Sequence, residues 1–130
     1  MTDRSDGELV LIVEDNEKNM KLARDILRYH GFTTIEATTG EDGVALARER
    51  RPALILMDIQ LPGIDGVMAL ERIRQAAETA RIPIVAMTAS VMKEDRERFD
   101  KAGFDGFITK PIDVKRFPEQ VREIMARGRA

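Results

Sequence analysis

The sequence contains no cysteine and only one histidine among its 130 residues. Disulfides and thiolate metal centres are therefore excluded, and so is a metal site built from several histidines. No apolar run approaches the roughly 20 residues that a membrane-spanning helix needs, which argues against membrane insertion. The first eight residues, MTDRSDGE, are polar and acidic and lack the apolar core of a secretion signal. These absences favour a cytoplasmic protein.

A surplus of charge of either sign is also missing. The chain has 21 Lys and Arg against 23 Asp and Glu, for a formal net charge of −2. Nucleic-acid-binding domains usually carry a basic surplus, so this balance disfavours DNA or RNA as a partner. The length suits one domain with a full hydrophobic core. We therefore expect a single domain over 1–130 with its core at 8–127, no effector domain, and a monomer or weak dimer.

Short apolar runs alternate with longer amphipathic ones along the whole chain. The pattern predicts strands at 9–13, 33–37, 53–57, 82–89 and 105–110, and helices at 16–30, 40–50, 63–78, 91–103 and 113–128. Continuous apolar strands are typical of a parallel sheet that is covered on both faces. Five strand–helix units with right-handed crossovers predict an α/β fold with a doubly wound five-stranded parallel sheet.

Single residues, and not the apolar pattern, determine where the fourth and fifth helices should begin. Ser90 is the predicted N-cap of the fourth helix. Pro118 would lie in the second turn of the fifth helix, where its ring clashes with the carbonyl four residues earlier. Either that helix begins near Pro118 or its first turn is distorted.

The stretch LILMDIQLPGIDG places a carboxylate, Asp58, directly after a buried strand. Ligands of doubly wound sheets bind at the carboxyl ends of the strands, so residues that follow the strands should converge there. The residues that follow or end the other strands are Glu14, Asp15, Thr88 and Lys110. Taken singly, each has a structural explanation as a cap, a turn, a strand or a solvated residue. Their convergence on one edge favours a functional site.

Three carboxylates in one crevice repel one another and raise each other's pKa. A Mg²⁺ ion, which prefers oxygen ligands, would compensate that repulsion. Lys110 adds a cation suited to phosphate, and Thr88 adds a hydroxyl donor. A carboxylate nucleophile beside a metal, a lysine and a hydroxyl indicates phosphoryl transfer onto Asp58.

Four segments together resemble the receiver domains of two-component response regulators. They are LIVEDN (11–16), LILMDIQLPGIDG (54–66), IVAMTA (84–89) and FITKPI (107–112). The resemblance implies a CheY-like, flavodoxin-like (βα)5 fold with strand order 2-1-3-4-5. It also implies that the chain is a phosphoprotein that catalyses only its own phosphorylation and dephosphorylation, and is otherwise no enzyme.

The resemblance further implies a role for individual residues. Asp58 would be the phosphoacceptor, and Thr88 and Lys110 would contact the phosphoryl group. Thr88 and Phe107 would form the switch, with the Phe107 ring turning inward as Thr88 moves. Mg²⁺ would be held by Glu14, Asp15, Asp58 and the backbone carbonyl of Gln60, and the Lys110–Pro111 peptide would be cis.

A narrower similarity is to the DivK-type single-domain regulators of bacterial cell polarity and division, which implies a cell-cycle role. A sensor histidine kinase or histidine phosphotransfer protein would dock near the first helix, at Asn16, Asn19 and Met20. The spacing of Met20 with Ala23 and Leu27 equally fits packing in the core. A downstream protein would bind a face formed by the fourth helix, fifth strand and fifth helix. That face would include Met92, Lys93, Phe99, Lys115, Arg116 and Val121.

Other functions remain open at this point. The chain could be a phosphorelay intermediate, or a Mg²⁺-dependent aspartyl-phosphate phosphatase or phosphotransferase. Such enzymes usually carry a second acid two residues after the nucleophile, where this chain has Gln60. A flavin-binding domain would want a small-residue phosphate loop after the first strand, where Glu14 and Asp15 would repel phosphate. A phosphate-blind scaffold would not need the intact acidic set.

Overall fold

The computed structural model describes residues 7–89 and 92–128. The strands are β1 (Leu9–Val13), β2 (Thr33–Ala37), β3 (Leu54–Asp58), β4 (Ile84–Thr88) and β5 (Gly106–Thr109). The helices are α1 (Glu17–Tyr29), α2 (Gly40–Arg50), α3 (Gly66–Gln75), α4 (Lys93–Ala102) and α5 (Phe117–Arg127). The strands pair in parallel in the order β2-β1-β3-β4-β5, which confirms the predicted doubly wound, flavodoxin-like fold.

Helices cover both faces of the sheet, and each face has its own apolar core. Side chains of α1 and α5 pack on one face, and those of α2, α3 and α4 pack on the other. Every residue of β3 and β4 is buried, as expected for central parallel strands. The register pairs Asp58 with Met87 and Thr88 with Thr109, so the strand ends meet at one edge. No helix among residues 7–89 and 92–128 is long and apolar enough to cross a bilayer.

Helix starts depart from the prediction where a local side chain decides them. The third helix begins at Gly66, three residues late, because Gly63 has a φ of +74° and the Asp65 carboxylate caps the Met68 N–H at 2.9 Å. The fifth helix begins at Phe117, so Pro118 lies in the first turn, where its missing N–H costs nothing. Of the two alternatives for Pro118, the late helix start is confirmed.

The start of α4 corrects the prediction that Ser90 is its N-cap. The helix begins at Lys93, and Met92 occupies the N-cap position without a side-chain capping bond. Ser90 itself lies outside the described residues. An N-cap residue directly precedes the first helical residue, and in this helix that residue is Met92.

Three residues predicted to meet partners are buried instead. Met20 is 5% exposed and packs in the core between the sheet and helices α1 and α5, so it is not a docking residue. Phe99 and Val121 are likewise buried, one on each side of the sheet. All three lie on the apolar stripe of their helices, and the stripe of an amphipathic helix faces the core. Met20, Phe99 and Val121 are therefore removed from the predicted docking faces.

An arginine of α3 joins the amino ends of β4 and β5. The Arg74 guanidinium donates to the carbonyls of Ala80, Ile82 and Gly103 and to the Asp105 carboxylate at 2.8 Å. The same Asp105 oxygen accepts the Ile84 N–H at 2.9 Å. Both charged side chains are largely buried. This cluster fixes the strands at the end of the sheet opposite the predicted site.

Candidate functional site

The carboxyl edge of the sheet brings a lysine between two buried acids. The Lys110 ammonium, just past β5, lies 2.8 Å from Oε1 of Glu14 and 3.2 Å from Oδ2 of Asp58. Glu14, just past β1, is only 1% exposed, and its Oε2 accepts the Asn16 N–H at 3.1 Å. The contact between Lys110 and Glu14 is an ion pair without hydrogen-bond geometry, so this buried carboxylate oxygen has spare capacity for another ligand. The Lys110–Pro111 peptide is cis, as expected.

The end of β3 and the start of α3 hold Asp58 in place. Its Oδ1 accepts the backbone N–H of Gln60 at 3.0 Å. The N–H of Gly66 donates to the Ile59 carbonyl at 3.1 Å and brings α3 close against this turn. A Cβ on Gly66 would lie 2.5 Å from the Asp58 carbonyl oxygen, so only glycine allows this approach. Apart from the glycine itself, no feature of the sequence indicates this packing role.

Burial and charge shift the pKa of both partners in the Asp58–Lys110 pair. Loss of solvent, reinforced by Glu14, raises the pKa of Asp58 from 3.8 to about 6, although the Gln60 N–H and Lys110 oppose the change. Burial alone would lower the pKa of Lys110, but contacts with Glu14 and Asp58 outweigh it and raise that pKa. Lys110 therefore stays a cation, while the protein bears a cost for keeping Asp58 ionised.

Asp15 completes an acidic cluster at this edge. Glu14, Asp15 and Asp58 each offer a carboxylate oxygen, and these oxygens all lie within 4.8 Å of one another. Asp15 is exposed, so an ion could reach the cluster from solvent. Hard oxygen donors of this number, with room for water, fit Mg²⁺. The structure thus brings the three predicted carboxylate ligands together, while ligation by the Gln60 carbonyl stays a prediction.

Beside the acidic cluster a cleft of about 410 Å³ opens toward α4. We call it the α4 cleft, and define it by Asp58, Thr88 and Lys110 on the sheet side and Asp95, Arg98 and Phe99 on α4. The predicted phosphoryl contacts, Thr88 and Lys110, thus lie in one cleft with Asp58. The charged α4 residues that line the cleft were missed by the sequence analysis, because helical periodicity does not show which cavity a polar face borders.

Phe107 lies on β5 opposite Ala86 of β4. Its ring is half-buried against the α2–α4 core layer, and the Arg96 guanidinium lies 5.1 Å from the ring centre. The aromatic is therefore neither free in solvent nor fully enclosed. Its role as a switch residue stays a prediction.

A doubly wound sheet with buried acids and a lysine at its carboxyl edge defines the CheY-like class of fold. Chemotaxis response regulator CheY4 of Vibrio cholerae has this fold, with a TM-score of 0.87 over 91% of this chain and 98% of that one at 20% identity. Residues 10–122 match the response regulator receiver domain family. The chain belongs to that family and is a receiver domain of a two-component response regulator.

Several other proteins share more of their sequence with this chain than CheY4 does. The polar-differentiation response regulator DivK of Brucella anthropi is 46% identical over 116 residues, which span 89% of this chain and 94% of that protein. DivK of Brucella ovis is 45% identical over the same coverage. The receiver domain of sensor histidine kinase PA1611 from Pseudomonas aeruginosa is 33% identical, with a TM-score of 0.81, and the match covers 93% of this chain and 96% of that one. That structure was solved with a magnesium ion coordinated in its active-site cleft.

Proposed function

We propose that this chain is a phosphorylation-controlled signalling protein whose Asp58 accepts a phosphoryl group from a histidine of a sensor kinase or phosphotransfer protein. Receiver domains typically interact with such proteins, and the chain belongs to that family. The observation that carries the proposal is the position of Asp58, with Lys110 at 3.2 Å and two further carboxylates at the same sheet edge. No purely structural need explains two buried carboxylates beside a third acid at one sheet edge.

The chemistry follows from the atoms that surround Asp58. An Asp58 carboxylate oxygen attacks phosphorus, a P–O bond forms, the P–N bond to the donor histidine breaks, and its electron pair returns to the imidazole. Lys110 places a positive charge beside the transferring oxygens, and the Gln60 N–H orients the carboxylate. Glu14, Asp15, Asp58 and the Gln60 carbonyl would hold Mg²⁺, which when bound supplies neutralisation of the phosphoryl charge.

The same residues make the chain an acceptor and not an enzyme acting on other substrates. The side chain two residues after Asp58 is the Gln60 amide, which has no acidic proton for a leaving group. Dephosphorylation then needs only water attack on phosphorus, which returns Asp58 as a carboxylate. This chemistry disfavours the alternative of a dedicated phosphatase or phosphotransferase.

Thr88 and Phe107 are the proposed switch. Thr88 ends β4 in the α4 cleft with Asp58, whereas Phe107 lies one strand away on β5. Movement of the Thr88 hydroxyl toward a phosphoryl oxygen would vacate space beside the half-buried Phe107 ring. The ring could then turn inward and leave its contact with Arg96, which would change the surface of α4 and β5.

The surface exposed by the fold suggests where partners bind. Asn16 and Asn19 at the start of α1 remain available for a kinase or phosphotransfer protein. Met92 is 60% exposed, and exposed methionine suits an adaptable protein interface on the α4–β5–α5 face. The other exposed members of that predicted face are Lys93, Lys115 and Arg116. Similarity to DivK supports a role in cell polarity or division.

Intact-mass measurement tests the acceptor directly. The protein is incubated with acetyl phosphate and Mg²⁺, quenched quickly, and compared with Asp58→Ala and with Asp42→Ala, which removes an exposed carboxylate from α2. We expect one added phosphoryl group in wild type and Asp42→Ala, dependent on Mg²⁺, and none in Asp58→Ala. An adduct that survives in Asp58→Ala would contradict the proposal. So would a wild type that neither gains phosphate nor binds the phosphoryl analogue beryllofluoride.

A further inference from the structure

The α4 cleft contains a second cation that the proposed phosphoryl transfer does not use. Arg98 lines it together with Asp58 and Lys110. Among the described residues that line this cleft, Arg98 and Lys110 are its cations. Lys110 already forms ion pairs with both Glu14 and Asp58. Arg98 is not bound to either of these acids.

Weak contacts hold Arg98 at the rim of the cleft. Its Nη2 lies 3.9 Å from Oδ1 of Asp95, and its guanidinium carbon lies 5.0 Å from the centre of the Phe99 ring. The Arg98 side chain is 63% exposed. An ion pair of this length and exposure adds little stability, so a stronger anion can displace it. Of the two groups that contact Arg98, the Phe99 ring is held rigidly, because it is buried in the core.

The charge of the phosphorylated site calls for another cation. A phosphoryl group on Asp58 carries about two negative charges, and Glu14 and Asp15 add one each. Lys110 and a bound divalent cation together supply about three positive charges. One negative charge is left over beside the buried Glu14 and Asp58, where its electrostatic cost is higher than at the part-exposed Asp95 that Arg98 would leave. An arginine at the rim of the same cleft is suited to that excess because its guanidinium binds phosphate oxygens with two N–H groups.

We propose that Arg98 leaves Asp95 and binds the phosphoryl group when Asp58 is phosphorylated, so that α4 reports the state of the site through this arginine. The inference rests on the proposed function of Asp58 and adds the means by which α4 detects it. Arg98 would act here as a phosphoryl-binding residue of the activated state, and Asp95 as the partner that holds it at rest.

Beryllofluoride binding in the presence of Mg²⁺ tests this inference. The apparent affinity is measured by ¹H–¹⁵N NMR titration for wild type, Arg98→Gln, Arg98→Lys and Lys101→Gln. The last variant removes the same charge from an exposed position of α4 outside the cleft. We expect Arg98→Gln to weaken binding about three- to tenfold, which is less than the loss of a buried charge-assisted hydrogen bond because Arg98 is exposed. Arg98→Lys should recover part of the loss, and Lys101→Gln should stay within about twofold of wild type.

Two further readouts separate a phosphoryl contact from a general effect. Mg²⁺ affinity without the analogue should be the same in wild type and Arg98→Gln, and the Arg98 Nε–H resonance of wild type should shift when the analogue binds. Equal analogue affinity in Arg98→Gln and wild type would overturn the inference alone. Equal weakening in Arg98→Gln and Lys101→Gln would overturn it too, because net charge would then suffice. Failure of wild type to bind the analogue would overturn the proposed function together with this inference.

Discussion

Replacement of Asp58 by asparagine should stabilise the metal-free protein at neutral pH. The wild-type carboxylate is buried beside Glu14, and together these raise the pKa of Asp58 to about 6. The asparagine amide has nearly the same shape, and its oxygen can still accept the Gln60 N–H. The substitution therefore removes the cost of a buried charge without removing the contact that positions the side chain.

The pKa values give the size and the pH range of the effect. The folded state holds the Asp58 proton more tightly than the unfolded state, where the pKa is 3.8, so wild-type stability falls as pH rises through this interval. Each pKa unit corresponds to about 1.36 kcal/mol. The rise from 3.8 to about 6 therefore lowers the free energy of unfolding of the wild type at pH 7 by about 3 kcal/mol. Below about pH 3 both states are mostly protonated, and the loss disappears.

Urea unfolding with a chelator present, repeated from pH 4 to pH 7.5, measures this difference. Asp58→Asn should exceed wild type by only about 0.6 kcal/mol near pH 4 and by about 3 kcal/mol above pH 7. Glu49→Gln, which alters an exposed carboxylate on α2, is the control and should stay within about 0.5 kcal/mol of wild type. A wild type as stable as Asp58→Asn at pH 7.5, or a gap that does not grow with pH, would refute the reasoning.

Three other perturbations follow from the structure. Saturating Mg²⁺, at about 100 times its dissociation constant, should stabilise wild type by about 2.7 kcal/mol and stabilise Asp15→Asn less, as measured by thermal unfolding; equal gains would contradict ligation by Asp15. Gly66→Ala should destabilise by about 1–3 kcal/mol and slow phosphorylation, because its Cβ meets backbone at the end of β3. Gly106→Ala, whose Cβ meets the side chains of Ile124 and Arg127 and no backbone, should cost less in the same urea experiment. Arg74→Met should cost about 3–5 kcal/mol by removing the guanidinium partner of a largely buried carboxylate, whereas the exposed Arg72→Met should be nearly neutral; similar losses would argue against the cluster.

The topology and the site were predictable because they depend on features that run along the chain. Continuous apolar runs identify the central strands, and a parallel sheet brings the residues after those strands to one edge. Glu14, Asp58 and Lys110 therefore follow from sequence order and fold class. Their pairwise distances do not, because Lys110 could have faced solvent until the fold fixed it between the two acids.

Features that depend on packing between distant segments escaped the sequence analysis. Periodicity identifies the stripe of α1 that contains Met20, but it does not tell a core contact from a docking contact until the sheet is placed beneath it. The start of α3 depends on the single capping contact of Asp65. Arg74 resembled any other charge on a helix, since its partners lie up to 31 residues away in sequence.

The Arg74 cluster also determines how β5 can move. It holds the first residues of β4 and β5, whereas Thr88, Thr109 and Lys110 lie at the far end. The strand has four residues and a length of about 13 Å. Relative to that anchored end, a displacement of about 1 Å at the site end would tilt the strand by about 4°, given that length. Because β5 is the edge strand and pairs with β4 along its length, such a tilt would alter the outer edge of the sheet from the site to Asp105.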